Sequence, residues 1–232
     1  MPQEISVAIR VWGDYACFTR PEMKVERVSY PLPTPSAARG ILEAIYWEPQ
    51  MYYLIDTIRV VKKGRWFSFR RNEVSAVIAL ESVAKMMRGK GKIDHIHAGG
   101  GAEDAAQRNM LALADVEYVI TAQVRLTPRH DTRTDSLMKY RDQIRERATK
   151  GKCFSRPAFG CREFAADFEW VEDVKAIPLA NWPQEDLGIM LYDVFDPVRR
   201  YEERQAEPKP VFFRAVVADG KLDCHPDRVK II

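Results

Sequence analysis

The 232-residue chain has no apolar run near the roughly 18 residues that a membrane-crossing helix needs. Met1-Pro2-Gln3-Glu4 has neither the basic start nor the apolar stretch of a signal peptide. No membrane partner is therefore expected, and the expected location is the cytoplasm. Cysteine is scarce. Cys17, Cys153, Cys161 and Cys224 form no Cys-x-x-Cys pair, which argues against a zinc ribbon or a thioredoxin-like centre and for reduced, packed thiols. Gly99-Gly100-Gly101 lacks the Lys-Ser/Thr that completes a P-loop. His95-x-His97 has no Asp, Glu or Cys partner at a diagnostic spacing and lies among glycines, so a loop is the simpler reading. No carboxylate cluster has the spacing of a metal nuclease, and no metal or cofactor is expected.

What is present is an ordinary globular composition, 46% hydrophobic and 30% charged, with an uneven distribution of charge. The net charge is +3. Between Arg133 and Arg162, nine basic residues (Arg133, Lys139, Arg141, Arg145, Arg147, Lys150, Lys152, Arg156, Arg162) face three acidic ones (Asp135, Asp142, Glu146), a local +6 that leaves the remainder at −3. Such asymmetry is either a footprint for a polyanion or a solvated helix face.

Ile5, Val7, Ile9 and Val11 alternate with Ser6, Ala8, Arg10 and Trp12, which predicts a strand over 5–12. Three prolines make 19–33 a loop. Thr34-Pro35 then opens a helix as cap and first-turn proline, with Ala38, Ile41, Leu42 and Ile45 as its apolar stripe and an end near Trp47, before Pro49. A second strand is expected from Tyr52 to Val61, a turn at Lys62-Lys63-Gly64-Arg65, and a return strand from Trp66 into Arg70-Arg71. From about Glu81 to Asp115, Gly89-Lys90-Gly91-Lys92 and the triple glycine suggest an insertion or loop. Alternation resumes from Val116 to Leu126. A polar loop to Asp135 leads to a basic helix capped by Asp135 or Ser136 that stops at Gly151, then a strand from Phe164 to Trp170. This βαββαβ order predicts an α+β, ferredoxin-like (RRM-like) domain over residues 1–172 with a hairpin or loop insertion. Leu187 to Val194 and Pro210 to Ala218, with an Asp219-Gly220 turn before Leu222, predict a small β-sheet domain over residues 173–232.

Three segments carry a family likeness. The first runs from Arg10 through Trp12-Gly13-Asp14-Tyr15 to Pro21-Glu22 and on to Tyr30, and the second from Thr34-Pro35 to Tyr46-Trp47. The third runs from Lys139 to Arg147, then to Gly151, Phe154, Gly160-Cys161-Arg162-Glu163 and Phe164. In this order they resemble the subtype I-C branch of the CRISPR-associated Cas-five family, within the RAMP superfamily. The resemblance implies metal-independent cleavage of precursor CRISPR RNA at the base of the repeat hairpin. It also implies retention of the 5′ tag in an interference complex whose other subunits, and duplex DNA, are further partners. In the family pattern a tyrosine at the end of the first helix and a Lys-His pair at the start of the basic helix form the active site. Tyr46 and Lys139 stand at the first two positions, and Tyr140 replaces the histidine.

Metal-free RNA cleavage needs an acceptor for the 2′-hydroxyl proton, a donor for the departing 5′-oxygen and a cation for the phosphorane. Histidine, with a pKa of about 6.5, suits the proton steps better than Tyr or Lys at about 10. Tyr46 or Tyr140 can serve as an acid, or as a base if nearby Lys and Arg lower its pKa. His130-Asp131 is another source of an imidazole. Arg39, Arg70, Arg71, Arg145, Arg147, Lys150, Lys152 and Arg162 are the candidate phosphate contacts, and Trp12, Phe18 and Trp47 the candidate stacking surfaces. Two readings stay open: a repeat-specific endoribonuclease, and a non-catalytic guide-RNA-binding subunit.

Overall fold

The computed structural model describes residues 5–75, 77–89, 97–195 and 208–232. His95 of the candidate His-x-His pair, and Lys90 to Lys92 of the expected insertion, lie outside them. The described strands are β1 (Ser6–Ala16), β2 (Arg27–Val28), β3 (Met51–Lys62), β4 (Arg65–Val74), β5 (Ala105–Leu126), β6 (Asp167–Trp170), β7 (Glu185–Asp193), β8 (Val211–Ala218) and β9 (Lys221–Asp223). The helices are α1 (Pro35–Ile45), α2 (Leu80–Met87) and α3 (Leu137–Thr149). No helix among the described residues is long and apolar enough to cross a membrane.

These strands form one mixed-order, almost wholly antiparallel sheet. Its main path is β6-β1-β5-β3-β9-β8-β7, with β2 and β4 added to β5. The odd residues Val7, Ile9 and Val11 of β1 are buried in the same core cluster as Ala38, Ile41, Leu42 and Ile45 of α1 and Tyr140, Ile144 and Ala148 of α3, so both helices cover one face. Ala8, Val119 and Val171 form a small second cluster on the opposite side. Thr34 Oγ accepts the Ala37 amide at 3.1 Å and Pro35 occupies the first turn, as its sequence predicts. α1 stops at Ile45, earlier than expected, because Tyr46 turns to an extended backbone (φ −156°).

Four expectations are corrected. β4 is not a return strand on β3: both run antiparallel to β5, β3 along residues 117–126 and β4 along residues 105–114. The insertion is shorter than expected, since Ala105 to Asp115 belongs to β5 and 80–87 is helical. The strand expected from Phe164 begins at Asp167, the preceding residues making an isolated bridge between Ala158 and Ala165. The carboxy-terminal strands do not form a sheet of their own. β9 pairs with the free edge of β3 through Thr57, Ile58 and Arg59, so hydrogen bonding is continuous from β6 to β7. The Asp219-Gly220 turn between β8 and β9 has φ of 50° and 71°, the two positive values that a tight hairpin requires.

Arg39, expected at an RNA surface, instead ties the two ends of the chain together. Its guanidinium is buried between Glu43 (3.0 Å), one turn along α1, and Asp193 (2.8 Å), at the end of β7. Truncating Arg39 to alanine leaves a carboxylate in a poorly solvated position, so stability measured by urea denaturation should fall by about 3 kcal/mol. The folded fraction should bind RNA as the parent does.

Candidate nucleic-acid interface and active site

The site is built where the end of α1 meets α3. Ser136 caps α3, its hydroxyl accepting the Lys139 amide at 3.2 Å. The far end is closed by Gly151 at φ 63°, with the Lys152 amide reaching back to the Arg147 carbonyl (2.9 Å) and the Gly151 amide to that of Ala148 (3.3 Å). The chain then crosses to α1. The Phe154 amide meets the carbonyls of Ala44 (3.0 Å) and Ile45 (3.2 Å), and the Ser155 amide that of Ala44 (3.0 Å), satisfying acceptors that the end of a helix leaves open. Tyr46 follows directly, fixed between the two helices.

The Tyr46 ring lies 6.4 Å from the Tyr140 ring and under the Arg147 guanidinium, 5.2 Å from the ring centre. Its hydroxyl donates to Glu48 at 2.8 Å. Burial, then the Glu48 carboxylate, push its pKa upward. Tyr140 is wholly buried. Its hydroxyl makes no hydrogen bond of full geometry, but burial and the adjacent Asp135 carboxylate push its pKa upward too. Lys139 Nζ donates to Asp135 Oδ1 (3.1 Å) and to the Thr134 carbonyl (3.2 Å). The Tyr140 hydroxyl first, then the Asp131 amide and Lys139, hold the Asp135 carboxyl down at about 2.

Tyr46 and Tyr140 are thus brought together, with Lys139 beside the Tyr140 ring. Burial first and then the local carboxylates push both phenols up, away from the lowered pKa that a base would need. Tyr140 is enclosed, with Asp135 and Lys139 beside it. Its burial was foreshadowed by the i, i+4, i+8 stripe of Tyr140, Ile144 and Ala148. His130 turns into its own loop, its Nδ1 donating to the Thr127 carbonyl at 2.8 Å.

Among the other expected phosphate contacts, Arg147, Lys150 and Lys152 stand on this side of the molecule. Lys150 is paired with Glu146 at 2.6 Å, and Lys152 is exposed. Arg145 pairs with Glu172 at the sheet end of α3. Arg70 and Arg71 lie on β4, where Arg71 is held by Glu73 and Glu163, and Arg162 is exposed near them. Of the aromatics, Phe18 is core, packed edge-on against Tyr118 and Phe159, and Trp12 lies beside Arg10. Trp47 is exposed next to the site, as is Phe154, which sequence reasoning missed because a single aromatic in a polar loop has no periodicity.

Comparison with known proteins finds relatives that match most of the chain. The family model described as CRISPR-associated protein (Cas_Cas5) matches residues 6–225. A Mannheimia succiniciproducens protein named CRISPR pre-crRNA endoribonuclease Cas5d is 41% identical over 224 residues, 95% of each chain. A Thermus thermophilus protein of the same name is 39% identical over 227 residues, 93% of this chain and 89% of the relative. A solved structure described as that of a CRISPR-associated protein superposes with a TM-score of 0.64 at 21% identity, over 94% of this chain and 91% of the other. The Streptococcus mutans protein SMU1763c does so at 0.66 and 21%, over 98% and 97%. At that identity the two structures speak for the fold alone.

The Asp135 network sets a pH dependence. Its carboxyl is depressed in the folded chain, so its contribution to stability is complete above the usual carboxylate range of about 4 and is lost as pH falls towards about 2. Asp135→Asn should flatten the acid limb of a stability-against-pH profile in that window. An unchanged profile would mean that Asp135 is not coupled to Lys139 and Tyr140 in solution.

Proposed function

The chain belongs to the CRISPR-associated Cas5 family, subtype I-C, and on that premise we propose that it cuts precursor CRISPR RNA at the base of the repeat hairpin, without a metal ion. It then keeps the 5′ tag of its product within an interference complex in the cytoplasm, where duplex DNA is a further partner. The ferredoxin-like reading of residues 1–172 is supported by the strand order β6-β1-β5-β3, with α1 linking β1 to β3 and α3 linking β5 to β6. The division at residue 172 then separates that plan from strands added to its β3 edge.

One observation carries the catalytic reading: the Tyr46 phenol, held neutral, is covered by the Arg147 guanidinium and lies beside the Lys139–Tyr140 turn. The 2′-oxygen attacks phosphorus and the bond from phosphorus to the 5′-oxygen breaks, leaving a 2′,3′-cyclic phosphate and a 5′-hydroxyl. Tyr46 gives its proton to the departing 5′-oxygen and is reprotonated from solvent. Arg147 and Lys139 offset the charge gathering on the phosphorane oxygens, an effect worth about 3–4 kcal/mol for one preorganised donor. The 2′-hydroxyl proton passes to water or hydroxide, because both phenols hold their protons well above neutrality.

The absence of an activated base in this cluster favours, as a second reading, a subunit that holds guide RNA and leaves cutting to another nuclease. The two readings separate on purified protein with a labelled cognate repeat in EDTA. Cleavage should occur, should stop when the 2′-hydroxyl before the cut is replaced by hydrogen, and should rise with pH from 7 to 9. Tyr46→Phe should reduce the rate by about 10²-fold or more with little change in affinity. Tyr140→Phe should stay within a few-fold of the parent. Metal dependence would overturn the mechanism, and tight binding without cleavage would establish the second reading. Affinity for the repeat should fall with a slope of log K against log salt steeper than about −3. A flat response would reduce the basic stretch to a solvated surface.

A further inference from the structure

One residue beyond Tyr46, the chain leaves two aromatic rings in solvent. Phe154 is 86% exposed and Trp47 is 47% exposed. With Gly40, Glu43, Ala44 and Ser155 they line a groove of roughly 550 Å³. From this arrangement we propose that the groove holds one unpaired nucleobase of the bound RNA, Trp47 and Phe154 offering the faces on which it stacks. The inference rests on the RNA-processing reading above and extends it to a base-binding position next to the reacting phosphate.

The backbone that carries Phe154 is anchored. Phe154 is anchored by its amide to the Ala44 and Ile45 carbonyls, and the Ser155 amide adds a third bond to the same helix end. The turn before them is closed by the Lys152 and Gly151 amides on the last carbonyls of α3. An anchored backbone lowers the cost of ordering the ring on binding, and the groove is large enough for a base. Its lining includes Gly40 and Ala44, which leaves room for a flat ring to lie close to the backbone. Lys150 and Lys152, on the turn that leads into Phe154, and Arg147 above Tyr46 supply the cations that phosphates on either side of such a base require. Glu43 does not oppose this strongly, since its carboxylate is already held by Arg39 at 3.0 Å. A docked protein segment would be better served by a continuous apolar face. Here the lining is two exposed rings, small residues and one carboxylate already paired with Arg39, and the cations lie on the turn leading to Phe154, which suits a planar base carried on a polyanionic backbone.

The test measures affinity of the full-length chain for a repeat RNA that carries a 2′-deoxynucleotide before the cut, so that binding is read without cleavage. A set of such RNAs places a single abasic nucleotide at each unpaired position in turn. One abasic position should weaken binding by roughly tenfold. Phe154→Ala should weaken binding of the intact RNA by a similar factor and lose nothing further on that abasic RNA, whereas Phe154→Tyr should retain parental affinity. Because Phe154 is exposed, the alanine variant should unfold at the parental Tm. Parental affinity in both Phe154→Ala and Trp47→Ala overturns the base slot while leaving the processing reading intact. Parental RNA affinity with lost assembly into the interference complex assigns the groove to a protein partner and overturns it equally. A parent with no affinity for repeat RNA overturns the processing reading and the slot together.

Discussion

The molecule depends on one strand being long enough to serve two structures at once. β5 spans 22 residues, about four times an ordinary strand, and its two halves do different work. Its second half, residues 116–126, is packed between β1 and β3 and is buried at Val116, Tyr118, Val119, Ile120, Ala122 and Val124. Its first half pairs with β4 on one side and, at Met110 and Leu111, with β2 on the other. The junction falls near Asp115, whose positive φ of 57° breaks the regular pleat. Strands β3 and β4, consecutive in sequence, therefore lie along the same edge of β5 without pairing with each other.

A second constraint places the reactive groups. The last carbonyls of α1 need donors, and the loop after α3 provides them through Phe154 and Ser155. That single exchange sets the end of α1 against the body of α3, and so sets Tyr46 between Tyr140 and Arg147. The same loop leaves its own aromatic ring outside. Backbone bonds at the end of the helix thus act together with the buried Tyr53 hydroxyl, which donates to the Tyr46 carbonyl at 2.9 Å, and with the core packing of Tyr46, Tyr140 and Ile144.

What could be read from the sequence follows from the range of each interaction. Helix α1 was legible because its cap, its first-turn proline and its apolar stripe lie within a dozen residues, and α3 for the same reason. The first half of β5 was not, because it follows a glycine-rich stretch and its partner lies some forty residues earlier. Arg39 looked like a surface cation because Asp193, the carboxylate that buries it, is 154 residues away. Tyr46 and Lys139 came from family resemblance. The direction in which the tyrosines are tuned did not, because it is set first by burial and then by Glu48 and Asp135; a charge count of the basic stretch sees neither the burial nor Glu48, which lies outside it.

Those carboxylates decide which cation matters at the phenol. Lys139 is locally neutralised: Asp135, held at about 2, remains ionised under all ordinary conditions and keeps the ammonium at 3.1 Å. A phosphate must compete with that partner. Arg147, by contrast, has no carboxylate within ion-pair distance among the described residues and lies directly over the Tyr46 ring. On the proposed reading, charge developing on a phosphorane near Tyr46 would be met first by Arg147, with Lys139 released to it only as the Asp135 pairing loosens. A planar guanidinium can hold two phosphate oxygens in a fixed orientation, which an ammonium cannot. Tyr140, where the resemblance expects a histidine, is a buried phenol beside Asp135 and adds no group that titrates near neutrality. On the proposed reading, the cluster pairs a protonated donor with a cation that has no carboxylate at ion-pair distance among the described residues, an arrangement that would serve the departure of the 5′-oxygen more than the activation of the 2′-hydroxyl.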